Sequence, residues 1–109
     1  MIEFSAVGSP QVVSRAIEEH ARALGSVTAL VVPWESDATR LSMAVTSVKS
    51  DGWAIEHTNL GTITLTDAGP DATRVAIDAP EQAAYAEPKL ATVLDRFAQH
   101  LRKTLAAAP

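Results

Sequence analysis

Residues 61–77 decide the fold, and they read GTITLTDAGPDATRVAI. Two runs of alternating apolar and polar residues flank a turn segment, Gly-Pro-Asp, at 69–71. Alternation with a period of two is typical of a strand with one buried face, and Gly, Pro and Asp favour tight turns. The stretch therefore predicts an antiparallel hairpin, and we expect Leu65 to lie opposite Thr73.

The return strand of this hairpin has a close copy earlier in the chain. The sequence DATRV at 71–75 matches DATRL at 37–41, and each copy follows a run rich in threonine and apolar residues, at 61–66 and at 27–34. The repetition predicts two similar hairpins. Because only two copies occur, a solenoid, which needs about three or more repeats, is excluded.

The run at 27–34 can present either of its faces to the core. In one register its odd-numbered residues face inward, whereas a one-residue slip instead buries Leu30, Val32 and Trp34. We expect Trp34 to be buried within the monomer. The alternative is a homodimer contact through these three residues, since an uncovered apolar face marks an interaction site. Pro33 cannot donate to a ladder, so we expect an edge strand or a bulge there.

Amphipathic helices are predicted before and after the strand-rich region. Ser9 and Pro10 suit an N-cap and a first helical residue, and Gly25 suits the C-cap, so the first helix spans about 10–24. Pro88 opens the second helix, whose apolar residues recur at helical spacing. These residues are Leu90, Val93, Leu94, Phe97, Leu101 and Leu105. With a first strand near the N-terminus, the order of elements predicts a single α+β domain.

Composition excludes several classes of function. The chain has 109 residues and a net charge of −4, which argues against nucleic-acid binding, since that needs surplus cations. It has no cysteine, so disulfides, Cys-zinc sites and thiolate catalysis are excluded. The longest apolar run, from Ala29 to Trp34, is far shorter than the ~20 residues of a membrane span. With no secretory signal at the N-terminus, we expect a cytoplasmic protein.

The order strand, helix, antiparallel strands and long final helix resembles the START-like superfamily of polyketide cyclases and lipid carriers, also called SRPBCC proteins. The resemblance is carried by residues 2–4 leading into the first helix, by the hairpin at 61–75 and by the final helix at 90–105. It implies a helix-grip fold, in which an antiparallel sheet curves around the last helix and a ligand cavity lies between them. The chain lacks the family's second short helix, because residues 25–26 pass directly into a strand.

Six residues are expected to line such a pocket, as apolar walls with a few polar groups. They are Met43, Trp53, Ile55, His57, Tyr85 and Phe97. By its position in the alternating strand, His57 faces the core, and its imidazole and the Tyr85 hydroxyl are the expected polar contacts for a ligand. The alternative is a filled core, since methionine and aromatic side chains also serve as packing residues.

We predict no metal site, no cofactor and no assigned catalytic residue. His20 and His100 are expected to be a packed residue and a surface residue, and no two histidines have the spacing of metal ligands. The first hypothesis is therefore a domain that binds an apolar small molecule. A homodimeric interaction module with a filled core and a cyclase-like enzyme that uses His57 are the two alternatives.

Overall fold

The computed structural model describes residues 2–25, 27–50, 52–79 and 89–106. Two helices and five strands make up most of this part of the chain. In chain order they are β1 (Ile2–Val7), α1 (Pro10–Leu24), β2 (Val27–Val31), β3 (Arg40–Ser50), β4 (Ile55–Gly69), β5 (Ala72–Asp78) and α2 (Lys89–Leu105). The α+β class predicted from the sequence is confirmed.

The strands form one antiparallel sheet in the order β1-β5-β4-β3-β2. The first strand pairs with the last, and β2 lies at the opposite edge, as expected for a strand that runs into Pro33. Both predicted hairpins are present, as β2–β3 and β4–β5.

The ends of α1 follow from its capping residues. The Ser9 hydroxyl accepts a hydrogen bond from the Val12 amide at 3.4 Å, and Pro10 is the first helical residue. Gly25 ends the helix with a φ of +77°, a left-handed conformation that glycine adopts without strain. The observed bounds agree with the predicted ones.

Both helices pack on one face of the sheet, which we call the inner face. Their buried apolar residues are Val13, Ile17, Ala21, Leu94, Phe97, Ala98 and Leu101. The buried apolar residues of the strands are Ala6, Val27, Ala29, Met43, Val45, Leu60, Ile63, Leu65, Val75 and Ile77. The sequence-based expectation that the apolar stripe of α2 faces the sheet is therefore confirmed for Phe97 and Leu101, with Val93 half-buried beside them.

Trp34 is not buried in the monomer, so that expectation is wrong. In β2 the odd-numbered Val27 and Ala29 face the core, whereas Leu30 is 57% and Trp34 83% exposed. Hydrogen bonds, rather than packing of the Trp34 indole, stabilise the connection after β2. In it, the Ser36 hydroxyl donates to the Val32 carbonyl at 2.8 Å and accepts from the Ser42 amide at 3.1 Å.

Asp37 fixes the remainder of this connection. Its Oδ1 accepts hydrogen bonds from the Thr39 amide at 2.8 Å, from the Thr39 hydroxyl at 2.9 Å and from the Arg40 amide at 2.9 Å. These bonds to the ionised form, those from Thr39 first, hold the pKa of Asp37 below its usual value. The side chain of Asp37 thus caps the start of β3. The second copy makes different contacts, since the Thr73 hydroxyl donates to the Gly8 carbonyl at 2.7 Å.

An extra residue, Leu60, interrupts the alternation of β4. Val45 pairs with Gly61 while the next residue of β3, Thr46, pairs with Asn59, so Leu60 forms a β-bulge. Its side chain is completely buried. In the β4–β5 hairpin Leu65 pairs with Val75 rather than with the predicted Thr73, and a second irregularity between Asp67 and Gly69 leaves one extra residue, Ala68, in β4.

Close packing beside the first bulge predicts that Gly61→Ala destabilises the fold. A Cβ at this position would overlap the Asp78 carbonyl oxygen and lie 3.1 Å from Leu94 Cδ2, with backbone on one side and α2 on the other. Overpacking of this kind costs about 1–3 kcal/mol. The free energy of unfolding, measured by urea denaturation, should fall by that amount. Thr62→Val on the exposed side of the same strand should change it by less than about 0.5 kcal/mol, and equal stability of the two variants would contradict the close packing.

Candidate functional site

The predicted pocket residues do not come together in the structure. Met43 and Phe97 are buried in the core, with 0% and 1% of their surface exposed. Tyr85 lies outside the described residues. Of the five that the structure describes, Phe97 alone lines the cleft described below.

Three predicted pocket residues lie on the surface, so their expected core-facing placement is wrong. Trp53 is 99% and Ile55 64% exposed. His57, which lies opposite Val48 of β3, is also exposed.

The bulge at Leu60 turns Ile55 and His57 away from the inner face, because an extra residue reverses which side chains face inward on the far side of it. Trp53 precedes β4, and Thr58 on the other side of the strand is exposed as well, so this end of the hairpin is exposed on both faces. The hypothesis of an enzyme that uses His57 depended on a core-facing imidazole and loses that basis.

The local sequence does carry a signal for this bulge. Asn59 and Gly61 flank Leu60, and both residue types are rare in regular strands. In the structure the Asn59 side-chain oxygen accepts a hydrogen bond from the Gly61 amide at 3.2 Å. This bond joins the two residues that flank the bulge, and asparagine side chains make similar bonds to nearby backbone in turns.

A cleft of about 300 Å³ opens between the two helices and the start of β2, and we call it the α1–α2 cleft. Its lining residues are Leu24, Val27, Val93, Arg96, Phe97 and His100. Four of the six are apolar, and two of these, Val27 and Phe97, belong to the buried core. A second cleft, between α1 and β2, measures only about 110 Å³.

Arg96 and His100 supply the polar groups of the α1–α2 cleft. They lie four residues apart on α2, so both side chains project from one side of the helix. Among residues 2–25, 27–50, 52–79 and 89–106, no carboxylate lies within ion-pair distance of Arg96. The guanidinium is therefore available to an anionic or hydrogen-bond-accepting group that enters the cleft.

His100 also contacts a histidine of the other helix. Its Nε2 lies 3.2 Å from Nδ1 of the half-buried His20, and the two rings meet edge to face with their centres 5.0 Å apart. His20 is packed and has a polar partner, and His100 is exposed, as predicted. Their contact was not predicted, since it joins residues 80 positions apart and no local pattern indicates it.

Other classes of site find no support in the described part of the chain. It contains no group of three or more His, Asp or Glu side chains placed to hold a metal ion. Neither α1 nor α2 is long and apolar enough to cross a membrane. Comparison with protein families, with curated proteins and with solved structures finds no match for this chain.

The placement of Trp53 and Phe97 predicts opposite responses to truncation. Phe97→Ala removes a fully buried ring and should lower the free energy of unfolding by about 3–5 kcal/mol. Trp53→Ser changes a side chain that is 99% exposed and should alter it by less than about 0.5 kcal/mol. Chemical denaturation of both variants measures the difference. A large loss for Trp53→Ser would show that its ring faces the core after all.

Proposed function

We propose that this protein binds a small apolar ligand carrying one anionic or polar group, and that the α1–α2 cleft is the binding site. The proposal rests on a cleft of about 300 Å³ with apolar walls and one guanidinium, that of Arg96, which has no ion-pair partner among the described residues. Ligand sites in proteins have volumes of about 300–1,000 Å³ and combine apolar walls with a few polar groups. The cleft therefore suits a ligand at the small end of this range.

The walls of the cleft support binding because they are already in place. Val27 and Phe97 are packed into the core on their other sides, so a ligand does not have to order them. A site formed in advance avoids the entropy cost of ordering side chains on binding. Each methylene group that the ligand buries there contributes about 0.8 kcal/mol. Apolar contact supplies the affinity, and Arg96 orients the polar end.

The fold is consistent with a shortened, START-like helix-grip domain, and this assignment is part of the proposal. In support of it, α2 packs on the inner face of an antiparallel sheet, and the sheet order places the first strand beside the last. Where family members have a second short helix, Gly25 turns this chain from α1 directly towards β2. Leu24 and Val27, on either side of this junction, both line the cleft.

Filling the cleft should abolish ligand binding. Val93 is half-buried at the cleft wall, and Val93→Trp places an indole in the space that a ligand would use. With sodium decanoate as the probe, we expect saturable shifts of the Val27 and Val93 methyl NMR signals in the unmodified protein. We expect no decanoate binding to Val93→Trp, as measured by calorimetry.

Two controls separate cavity filling from general damage. Val12→Trp adds the same indole to α1 at a position that is 56% exposed and lies outside the cleft, so decanoate binding should persist. Arg96→Gln should weaken decanoate binding by up to about fivefold, the range of an exposed ion pair, and leave binding of the neutral decanol unchanged. Absence of binding to the unmodified protein, or binding that survives Val93→Trp, would contradict the proposal.

A homodimer through Leu30, Val32 and Trp34 is the second candidate function. Two of these side chains are exposed, at 57% and 83%, and they lie on or just after the edge strand β2. An edge strand offers unpaired backbone groups to a second copy, and exposed Leu and Trp give apolar surface beside them. Pairing of two β2 strands would extend the sheet across a twofold axis.

A charge at this edge should prevent the dimer. Leu30→Glu places a carboxylate on the exposed side of β2, and we expect a dimer for the unmodified protein and a monomer for this variant by light scattering. Val7→Glu is the matched control, because Val7 is 62% exposed on β1 at the opposite edge of the sheet. A monomeric unmodified protein at high concentration, or a dimer that survives Leu30→Glu, would contradict this candidate.

A further inference from the structure

The rings of His20 and His100 meet in a geometry that a simple hydrogen bond does not require. Their facing nitrogens are 3.2 Å apart and their ring centres 5.0 Å apart. Two imidazoles joined by a straight N–H···N bond of this length would have centres about 5.5 Å apart. The shorter separation of the centres means that at least one ring is tilted away from the line joining the two nitrogens, an arrangement that also occurs when two imidazoles bind one ion.

A shared metal ion produces this pair of distances. Histidine nitrogens bind Zn²⁺ at about 2.0–2.1 Å, and an angle of about 100–110° at the ion puts two such nitrogens about 3.1–3.4 Å apart. The same geometry separates the ring centres by about 4.9–5.2 Å. Both observed distances, 3.2 Å and 5.0 Å, fall within these ranges.

We propose that His20 Nδ1 and His100 Nε2 together bind one divalent transition-metal ion, which links α1 to α2. Imidazole nitrogens favour Zn²⁺, Ni²⁺ and Cu²⁺ over Mg²⁺ or Ca²⁺, which take oxygen ligands. His100 is exposed, so water can complete the coordination shell. The proposal concerns helix–helix linkage and does not rest on ligand binding in the α1–α2 cleft.

The charges around the pair limit the affinity of this site. Arg96 lies one helical turn before His100 on α2, and Lys103 lies three residues after it. Both cations disfavour a further positive charge nearby. On α1 the residues one turn from His20 are Ala16, Ile17, Ala23 and Leu24, which are uncharged. With two imidazoles and no carboxylate to join them among the described residues, we expect a site that a chelator empties readily.

Zn²⁺ titration of the metal-free full chain tests the site, at a pH where histidine is neutral. Saturating Zn²⁺ should raise the Tm of the unmodified protein by about 5–10 °C, and EDTA should reverse the shift. In NMR spectra the ring signals of His20 and His100 should move together and saturate at one equivalent of Zn²⁺. The ring signal of His57 should stay in place.

Three matched variants localise the effect, since this chain has three histidines. His20→Gln and His100→Gln should each abolish the Zn²⁺-dependent rise in Tm, while His57→Gln on the exposed part of β4 should keep it. All three positions are at least partly exposed, so the variants are expected to fold. No Tm shift in the unmodified protein, or a shift that persists in His20→Gln or in His100→Gln, would overturn the proposal.

Discussion

Leu60 is the extra residue of a β-bulge, and its side chain is buried in the core. At the next residue, Gly61, the backbone packs so closely between Asp78 and Leu94 that there is no room for a side chain. The bulge determines which side chains of β4 face inward on each side of it. On the Gly61 side, the residues of β4 alternate so that Ile63 and Leu65 lie under the helices. On the other side the alternation is reversed, and Trp53, Ile55 and His57 lie on the surface.

The reversed alternation also bears on function, because the imidazole that the strand pattern placed in the core is on the surface. The one imidazole in a strand, His57, is exposed, whereas the imidazoles of His20 and His100 meet between two helices. The α1–α2 cleft lies next to that contact and combines core residues with the guanidinium of Arg96. The proposed ligand site and the proposed metal site therefore both lie near the junction of α1, β2 and α2. The homodimer candidate uses Leu30, Val32 and Trp34, which do not line the cleft.

Features set by neighbouring residues could be predicted, and features set by distant contacts could not. Ser9, Pro10 and Gly25 define the ends of α1 through their own capping chemistry, so those bounds were predictable. The hairpins and the apolar stripe of α2 follow from periodicity in the same way. The bulge depends on which side chain fits into the core beneath α2, and this is not visible in the local pattern. Alternation alone therefore placed His57 on the wrong side of the strand. The pairing of His20 with His100 depends on the packing of α1 against α2, which no single stretch encodes.

Methyl-detected NOE spectroscopy distinguishes burial of Leu60 from burial of Ile55 and His57. We expect strong NOEs from the Leu60 methyl groups to buried side chains of the core, and none from the Ile55 methyl groups or the His57 ring to those residues. NOEs from Ile55 and His57 to the core, with a solvent-exposed Leu60, would contradict the bulge and the position of the site inferred from it.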